Sequence, residues 1–424
     1  MKILMGAQSA GFGPISKLAA ISRLMSHHHR VFCGDTVAAL YARRNSEAFD
    51  ELHEMGTRDE SLLGELIDSS DQVVSVMDAD LVIRAAAADR PVVMVDSLFS
   101  FWQHQRPLAE LAELCRSVPR GSADKALAHF AELRPHERIL AAHMLATHSI
   151  TQNFPGVRER IALFEELGVH KPKLTGSIID LQSIAEATCG TAPECDLLIN
   201  IGGFKNFLLD FDVNNAYLKL FDRWVPDLLC DWESFQEVIV CGGAFGDGRE
   251  RHITEGSRRA SFRLLSHDQF LRNVATAPHY MLTPGLTAIH EAVELRRFPM
   301  ALPEQHYGHV FNLESLAGTL FHRTSSKLST VVPEHSVPAD DFTGTAAIAA
   351  LAESVHSDER LYKRFRDMMN DWIGTYVGLD TRHRARGIEE LRPQLGGTPI
   401  RDVVRTLFEP ETVATADRTA GQPR

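Results

Sequence analysis

The sequence predicts an α/β protein that consists of two Rossmann-like domains, whose parallel sheets face a central cleft. A short apolar run at residues 280–282 breaks at a Pro-Gly turn, becomes a helical pattern from Leu286 onward, and is followed by a second apolar run at residues 299–302. Strand, helix and strand in this order give a parallel pair with a right-handed crossover. Residues 92–95 form a continuously apolar strand, as in a parallel sheet that is covered on both faces.

The composition fits an ordinary globular protein and limits its partners. A chain of 424 residues is long enough for two domains, and 44% hydrophobic residues can build their cores. The formal net charge of −12 disfavours nucleic acid or an anionic membrane as a partner, because either requires a concentrated basic face. A small anionic substrate remains compatible with this charge through a local site.

The cysteine pattern and the lack of targeting segments predict a cytoplasmic protein with free thiols. No CxxC pair occurs, and we find neither a signal peptide nor a long apolar segment. The six cysteines are scattered along the chain, at Cys33, Cys115, Cys189, Cys195, Cys230 and Cys241.

The chain opens with a strand at residues 3–5, a glycine-rich loop, a helix, and a second strand at residues 31–33. The loop resembles a dinucleotide fingerprint only superficially, because Gly6, Gly11 and Gly13 do not give the spacing GxGxxG. The opening therefore disfavours the alternative of a dehydrogenase.

The turn after the strand at residues 280–282 predicts a nucleotide site. Its glycine lets the backbone approach a ligand, and the free N–H groups of the following helix start form a site for an anion such as phosphate. Glu291 lies one turn further on, where a carboxylate suits two neighbouring hydroxyls such as those of a ribose. The alternative is a plain strand-to-helix turn with a solvated Glu291. The predicted ligands in the turn are Thr283, Pro284, Gly285, Leu286 and Thr287.

A second turn of the same kind follows a predicted strand at residues 197–201. It has a Gly-Gly pair with a lysine and an asparagine at the start of a helix, which again favours an anion. Two such turns in one predicted sheet strengthen the interpretation of each. The residues of this second turn are Gly202, Gly203, Phe204, Lys205 and Asn206.

Asp96 lies at the carboxyl end of the strand at residues 92–95, where the ligands of parallel sheets bind. The aromatic side chains of Phe99, Phe101 and Trp102 follow it and suit a planar heterocycle. Asp96 would accept a hydrogen bond from a ring N–H of this heterocycle or deprotonate it. The alternative is that these aromatic side chains pack in an interface or a lid.

Two further patterns suggest a metal, but we predict none. The three histidines at residues 27–29 are adjacent and cannot converge on one ion, so they indicate a polar turn. The sequence Asp78-Ala79-Asp80 spells a metal-binding DxD, yet it lies directly before a predicted strand at residues 81–83, which indicates a loop that enters the sheet.

The run TPGLTAIHEAVELRRFPMALPEQHYGHVFNLESL resembles the donor-binding segment of GT-B glycosyltransferases, particularly the inverting group that includes the bacterial transferase adding N-acetylglucosamine to the peptidoglycan lipid precursor. In that group a small-residue turn meets the diphosphate, a Glu followed by Ala binds the ribose, and a Pro-x-x-x-Gln segment approaches the sugar. The resemblance places these roles on the turn at residues 283–287, on Glu291 with Ala292, and on Pro303 with Gln305.

The same resemblance implies a GT-B fold with a defined division of the chain. Residues 1–175 would bind the acceptor, 176–192 would link the domains, 193–360 would bind the nucleotide sugar, 361–408 would be helices that cross back, and 409–424 would be a flexible tail. The loop after a strand at residues 262–264 would hold the nucleobase through Leu265, Ser266 and Phe270.

Three stretches, GFGPISKLAAI, PVVMVDSLFSFW and TPGLTAIHEA, resemble the cytosylglucuronate synthase group of peptidyl nucleoside antibiotic pathways. This resemblance implies an inverting N-glycosyltransferase that moves glucuronate from UDP-glucuronate to cytosine or hydroxymethylcytosine and releases UDP, without a metal or another cofactor. The opening loop lacks the histidine of many inverting relatives, and Asp96 is therefore the predicted base. The alternatives are a transferase for another UDP-sugar and small acceptor, and a non-catalytic GT-B partner protein; a homodimer is compatible with the sequence.

Lys17 follows the glycine-rich loop closely enough to meet an anion in the cleft, such as a glucuronate carboxylate or the diphosphate; a solvated helix lysine is the alternative. The predicted acceptor-binding residues are Gly11, Phe12, Gly13, Ser16, Lys17, Ser97, Phe99 and Trp102.

Overall fold

The computed structural model of the protein describes residues 1–9, 11–55, 59–188, 192–202, 211–242 and 250–408, and of residues 211–215 it describes the backbone only. The predicted donor ligands Gly203, Phe204, Lys205 and Asn206 lie outside the described residues, as does the predicted tail at residues 409–424.

The first half of the chain forms a seven-stranded sheet in which all neighbouring strands are parallel. The strand order is β3-β2-β1-β4-β5-β6-β7. Its central strands are almost entirely buried, as a parallel sheet with helices on both faces requires. The strands are β1 (Lys2–Ala7), β2 (His29–Gly34), β3 (Glu51–Glu54), β4 (Gln72–Val76), β5 (Val92–Asp96), β6 (His148–Gln152) and β7 (Lys173–Thr175).

The second sheet has six strands in the order β10-β11-β9-β8-β12-β13. Only the pairing of β10 with β11 is antiparallel, and β10 is the edge strand. The strands are β8 (Leu197–Asn200), β9 (Glu237–Cys241), β10 (Arg251–Glu255), β11 (Arg258–Arg263), β12 (His279–Leu282) and β13 (Met300–Ala301).

Helices connect the strands and cover both sheets. Up to β8 they are α1 (Phe12–Arg23), α2 (Thr36–Arg44), α3 (Glu60–Asp68), α4 (Ala79–Ala87), α5 (Leu108–Arg116), α6 (Ala123–His129), α7 (Pro135–Leu145), α8 (Val157–Glu166) and α9 (Leu181–Ala187). After β8 they are α10 (Phe211–Asp231), α11 (His267–Thr276), α12 (Leu286–Glu294), α13 (Tyr307–Ser315), α14 (Leu320–Arg323), α15 (Asp341–Ser357), α16 (Glu359–Val377), α17 (Thr381–Leu395) and α18 (Ile400–Phe408). Short 3₁₀ turns occur at Ser46–Ala48 and Leu328–Thr330.

The predicted fold class is confirmed: the chain forms two α/β units with parallel sheets that face a cleft, in the manner of the GT-B type. The predicted unit of strand, turn, helix and strand is also confirmed, because β12 pairs in parallel with β13 through Met281 and Met300, and α12 lies between them in sequence.

The end of the chain returns to the first sheet beside the segment that leaves it. Thr398 accepts hydrogen bonds through its carbonyl oxygen from the amide of Gly176 and from Thr175 Oγ1, each at 2.8 Å. Side chains have no room here, since a Cβ on Gly397 would lie 2.8 Å from the nitrogen of Gly176. From this contact α18 continues against α1 and β7.

None of the described helices is both long and apolar enough to cross a membrane. The predicted free thiols are confirmed at the described cysteines, Cys33, Cys115, Cys195, Cys230 and Cys241.

The prediction of a strand at residues 81–83 is wrong, because these residues lie in α4. Asp78 is the N-cap of this helix and accepts hydrogen bonds from the amides of Asp80 and Leu81, each at 3.1 Å. An acidic residue that satisfies the first free N–H groups starts a helix rather than a strand. The strand of this region is β4, which precedes the acidic pair.

Replacing Asp78 with alanine should therefore lower the free energy of unfolding by about 1 kcal/mol through loss of the cap. Asp78→Asn is the matched control, because an asparagine side chain caps a helix nearly as well. Urea unfolding followed by circular dichroism measures both. If Asp78→Ala were as stable as the wild type, the capping role of Asp78 would be refuted.

Candidate functional site

The carboxyl ends of both sheets meet in one cleft with a volume of about 280 Å³. Gln8, Met77 and Leu98 follow β1, β4 and β5 and line the cleft from the first sheet. The lining residues that follow β8, β9 and β12 in the second sheet are Gly202, Gly242 and Thr283. Ligands of parallel sheets bind at this edge, where neighbouring connections leave the sheet in opposite directions.

Two glycine turns form the floor of the cleft on the side of the second sheet. Gly202 and Gly242 both have positive φ angles, of 73° and 77°. A Cβ on Gly242 would lie 2.5 Å from the carbonyl oxygen of Gly202, so a side chain cannot be placed there. The turns therefore lie in direct backbone contact, and Asn200 Oδ1 fixes the first of them by accepting the amide N–H of Gly202 at 3.0 Å.

The start of α12 opens into the cleft without a side-chain cap. Gly285 is the N-cap residue, and Leu286, Thr287 and Ala288 of the first helical turn line the cleft. The first N–H groups of a helix have no partner within the helix and carry a partial positive charge. This end of α12 therefore favours an anion.

Two buried polar atoms beside this helix start also have no hydrogen-bond partner among the described residues. They are Thr283 Oγ1 and Asn312 Oδ1, on side chains that are 1% and 3% exposed. Asn312 supports the turn through its other amide atom, since Nδ2 donates to the carbonyl oxygen of Pro284 at 2.8 Å. Buried polar groups are normally satisfied, so these atoms indicate a place for a polar ligand or water.

Lys17 reaches the same helix from the first half of the chain. Its ammonium donates to Thr287 Oγ1, and the side chain is only 1% exposed. Burial lowers the pKa of Lys17 to about 8, while the carboxylates of Glu291 and Asp96 oppose this shift. Burial likewise raises the pKa of Glu291 to about 8, against the attraction of Lys17. An anion at the helix start would favour the charged form of Lys17.

His309 adds a neutral donor near the turn. Its Nδ1 lies 3.3 Å from the amide nitrogen of Gln305, which has a hydrogen to donate. Burial lowers the pKa of His309 well below its ordinary value, so the ring is uncharged at neutral pH. The hydrogen then lies on Nε2, and this atom would be 3.8 Å from a Cβ on Gly285.

One end of the cleft is formed by flat and apolar groups. Tyr41 and Phe12 lie with ring centroids 5.9 Å apart, and the ring of His267 lies 6.2 Å from that of Tyr41. Burial lowers the pKa of His267 to about 4, so this ring is neutral, and its Nε2 lies 3.6 Å from the carboxylate of Glu291. Leu265 and Phe270 complete this end, which suits a planar base next to a hydroxylated group.

The opposite end is lined by Phe101, Trp102, His306 and Asp341. The rings of Phe101 and Trp102 lie 5.4 Å apart in an edge-to-face arrangement. This end therefore offers both an aromatic wall and a carboxylate.

The prediction that Asp96 is the base does not fit this structure. Asp96 is fully buried behind Trp102, and its carboxylate accepts hydrogen bonds from Trp102 Nε1 and from the amide of Leu98. His143 Nε2 lies 2.8 Å from the same carboxylate. Asp96 is not among the residues that line the cleft, and its hydrogen bond to Trp102 holds the aromatic wall in place from behind.

The structure brings most of the other predicted site residues together in the cleft lining: Gly11, Phe12, Gly13, Ser16, Trp102, Gly202, Leu265, Phe270, Thr283, Gly285, Leu286, Thr287, Glu291 and Gln305. Glu291 is 3% exposed, so the alternative of a solvated helix residue is wrong.

Besides Asp96, five predicted residues lie behind the lining. Ser97 and Phe99 are buried, with Phe99 packed against Phe164. Ser266 caps α11 through the amide of Gln269 rather than facing the cleft. The other two are Lys17 and Pro284, each next to a residue that does line it.

Sequence reasoning missed several polar and aromatic lining residues, which are Tyr41, Arg44, Asn200, His267, His306, His309, Asn312 and Asp341. Most come from helices or loops without a glycine turn, and nothing in their local sequence marks them. One pattern could have indicated some of them: the dense run of histidines and aromatics at residues 305–312 follows β13, at the carboxyl edge of the second sheet.

Within the described residues, no group of three or more His, Cys, Asp or Glu side chains is arranged to hold a metal ion. The ammonium of Lys17 and the start of α12 are groups that the structure offers to an anion.

No protein-family model and no curated protein matches the sequence. Among solved structures, the chain is similar to a protein named as a UDP-N-acetylglucosamine 2-epimerase from Listeria monocytogenes, at 11% identity over 96% of each chain, with a TM-score of 0.49. It is similar to the glycosyltransferase SnogD from Streptomyces nogalater at 11% identity over 96% of this chain and 98% of that chain, with a TM-score of 0.43. It is also similar to UGT73P12 from Glycyrrhiza uralensis at 9% identity over 89% and 96%, with a TM-score of 0.41. At these TM-scores the likeness carries no argument about activity.

Replacing Lys17 with methionine should weaken the binding of inorganic pyrophosphate roughly 10- to 100-fold, because a charge-assisted hydrogen bond contributes about 1.5–3 kcal/mol. Methionine keeps most of the buried volume, so the comparison isolates the charge. Isothermal titration calorimetry at pH 7 measures the affinity. Lys173→Met, at the start of β7 and outside the cleft lining, is the control; equal binding by Lys17→Met and wild type would remove Lys17 from the anion site.

Proposed function

We propose that the protein is an inverting, metal-independent glycosyltransferase that moves a sugar from a UDP-sugar to a small planar acceptor. The observation that carries this proposal is the uncapped start of α12, which faces the cleft beside the buried ammonium of Lys17 and the buried carboxylate of Glu291. A buried cation at a helix start suits a diphosphate, and the acidic side chain of Glu291 further along α12 suits the ribose that follows.

The shape of the cleft supports one direction for the donor. The flat end with Phe270 and His267 would take the uracil ring, and Glu291 would accept both ribose hydroxyls. The diphosphate would lie on the first turn of α12, within reach of Lys17, and the sugar would extend toward Gln305 and the aromatic end.

This direction places the leaving group and the nucleophile on opposite sides of the sugar. The acceptor atom attacks the anomeric carbon while the bond from this carbon to the diphosphate oxygen breaks. Negative charge then develops on the diphosphate, where the N–H groups of α12 and Lys17 stabilise it. Such groups are already oriented before the reaction, so the protein has little reorganisation to perform.

We further propose UDP-glucuronate as the donor and cytosine or hydroxymethylcytosine as the acceptor. Lys17 supports an anionic donor, because it is a buried cation at the point where the diphosphate and the sugar would meet. The wall of Phe101 and Trp102 supports a planar heterocycle. The resemblance of three stretches of the sequence to cytosylglucuronate synthases supports both.

Incubating the purified protein with UDP-glucuronate and cytosine should release UDP and form a glucuronosyl cytosine, which mass spectrometry detects. The reaction should proceed in EDTA, because Lys17 and α12 neutralise the leaving group. Transfer only from other UDP-sugars or to other acceptors would contradict the specific substrates and retain the transferase. Stabilisation by UDP without turnover of any donor would instead favour a non-catalytic partner protein.

Replacing Glu291 with alanine should weaken UDP binding roughly 10- to 100-fold, since two hydrogen bonds to the ribose are lost inside a closed cleft. Calorimetry with UDP and 2′-deoxy-UDP measures the effect, and the mutant should no longer distinguish the two. Glu291→Gln keeps the volume and one acceptor, so its loss should be smaller. If Glu291→Ala still discriminates against 2′-deoxy-UDP as the wild type does, the ribose lies elsewhere.

A further inference from the structure

A carboxylate and an imidazole form a buried pair at the aromatic end of the cleft. His136 Nε2 lies 3.0 Å from Asp341 Oδ2, and the two residues are each 1% exposed. His136 belongs to α7 and Asp341 is the first residue of α15, so the pair joins the two halves of the molecule. Of the two, Asp341 lines the cleft.

The hydrogen bonds around His136 determine which of its nitrogens carries the hydrogen. The amide N–H of Gln103 points at Nδ1 at 3.2 Å, and Nδ1 must accept it. The hydrogen of the neutral ring therefore lies on Nε2, from which it is donated to Asp341. His136 thus fixes one oxygen of the carboxylate and leaves the other for a different partner.

The second oxygen, Oδ1, is only weakly engaged within the protein. Thr345 Oγ1 donates to it at 3.3 Å, which is long for a hydroxyl bond. A carboxylate has about four acceptor positions, so Oδ1 can accept a further hydrogen from the cleft.

We propose that Asp341 is the catalytic proton acceptor for the nucleophile, with His136 as the positioning residue that orients it. This inference rests on the proposed glycosyl transfer. The N–H or O–H proton of the acceptor passes to Asp341, and the acceptor atom forms its bond to the anomeric carbon. The bond from that carbon to the diphosphate breaks, and its electron pair leaves with UDP.

The surroundings of the pair indicate the class of acceptor. The ring of Phe101 packs beside the pair. Its centroid lies 5.3 Å from that of His136 and 5.4 Å from that of Trp102. A planar ring that carries an N–H or a phenolic O–H would pack on this wall and direct its hydrogen at Asp341. An aliphatic alcohol would bury less of this aromatic wall.

Three other titratable side chains lie near Asp341, and of these the His306 imidazole also lines the cleft and can accept a proton. Burial lowers the pKa of His306, an effect that the charge of Asp341 opposes. Burial raises the pKa of Tyr307, so its phenol is protonated. Asp340 is the N-cap of α15 and accepts from the amide of Thr343 at 2.9 Å, with its pKa lowered by that bond.

The test compares Asp341→Asn with Asp340→Asn, the same chemical change one residue earlier in a side chain that does not line the cleft. With UDP-glucuronate and cytosine, kcat of Asp341→Asn should fall by about 10²- to 10⁴-fold, the usual contribution of a general base. The Kd for UDP should stay within roughly threefold of the wild-type value. Asp340→Asn should keep kcat, since asparagine still caps the helix.

A pH profile separates a catalytic role from a structural one. In the wild type, kcat should fall at acidic pH as the base becomes protonated, and Asp341→Asn should lack this dependence. His136→Gln should lower kcat about 10-fold and retain the acidic fall, because the carboxylate is still present but less well oriented. His306→Gln tests the neighbouring imidazole, which also lines the cleft: whatever this variant does to kcat, the acidic fall should persist in it if Asp341 is the base.

The outcomes distinguish the two proposals. No UDP release by the wild type from any donor refutes both the transferase and the role of Asp341. Release by the wild type that Asp341→Asn leaves unchanged, or an acidic fall that disappears in His306→Gln instead, refutes the role of Asp341 alone. Should Asp341→Asn fail to fold, Asp341→Glu carries the test: it should lower kcat and keep the acidic fall, and an unchanged kcat overturns the assignment.

Discussion

The burial of one ammonium group at the boundary between the two sheets is the constraint to which the cleft is adapted. Lys17 comes from α1 and donates to Thr287 in α12, so a charge from one half of the molecule lies at a helix start of the other. Removing such a charge from water is costly unless partners compensate. The carboxylate of Glu291 supplies part of the compensation, and an anionic ligand would supply more. The cleft thus favours a ligand that carries negative charge.

The histidines of the cleft leave this arrangement undisturbed because burial keeps them neutral. The pKa of His267 is lowered to about 4, and those of His306 and His309 are lowered as well. Had these rings been charged, they would have spread positive potential over the whole lining and weakened the preference for one position. With the rings neutral, the positive charge of the cleft comes from Lys17 at the start of α12 and from Arg44 in the lining.

Local patterns were sufficient for the fold but only for part of the site. The Pro-Gly turn predicts the start of α12 and the apolar run predicts the buried strand β5, since both features lie within a few neighbouring residues. The strand predicted after Asp78 is wrong because the capping of α4 by this residue depends on the backbone conformation around it, which the local pattern does not show. His136 and Asp341 are 205 positions apart in the sequence, and only the packing of α7 against the start of α15 brings them together. The periodicity of a local sequence pattern cannot predict a contact between residues so far apart in the chain.

The glycine contact at the return of the chain also determines how the molecule can move. The chain passes from the first half to the second just after Gly176, and it passes back at Gly397, which touches Gly176 backbone to backbone. Both crossings between the two halves therefore lie next to each other. A rotation of one half against the other would therefore bend both chain crossings at this one contact.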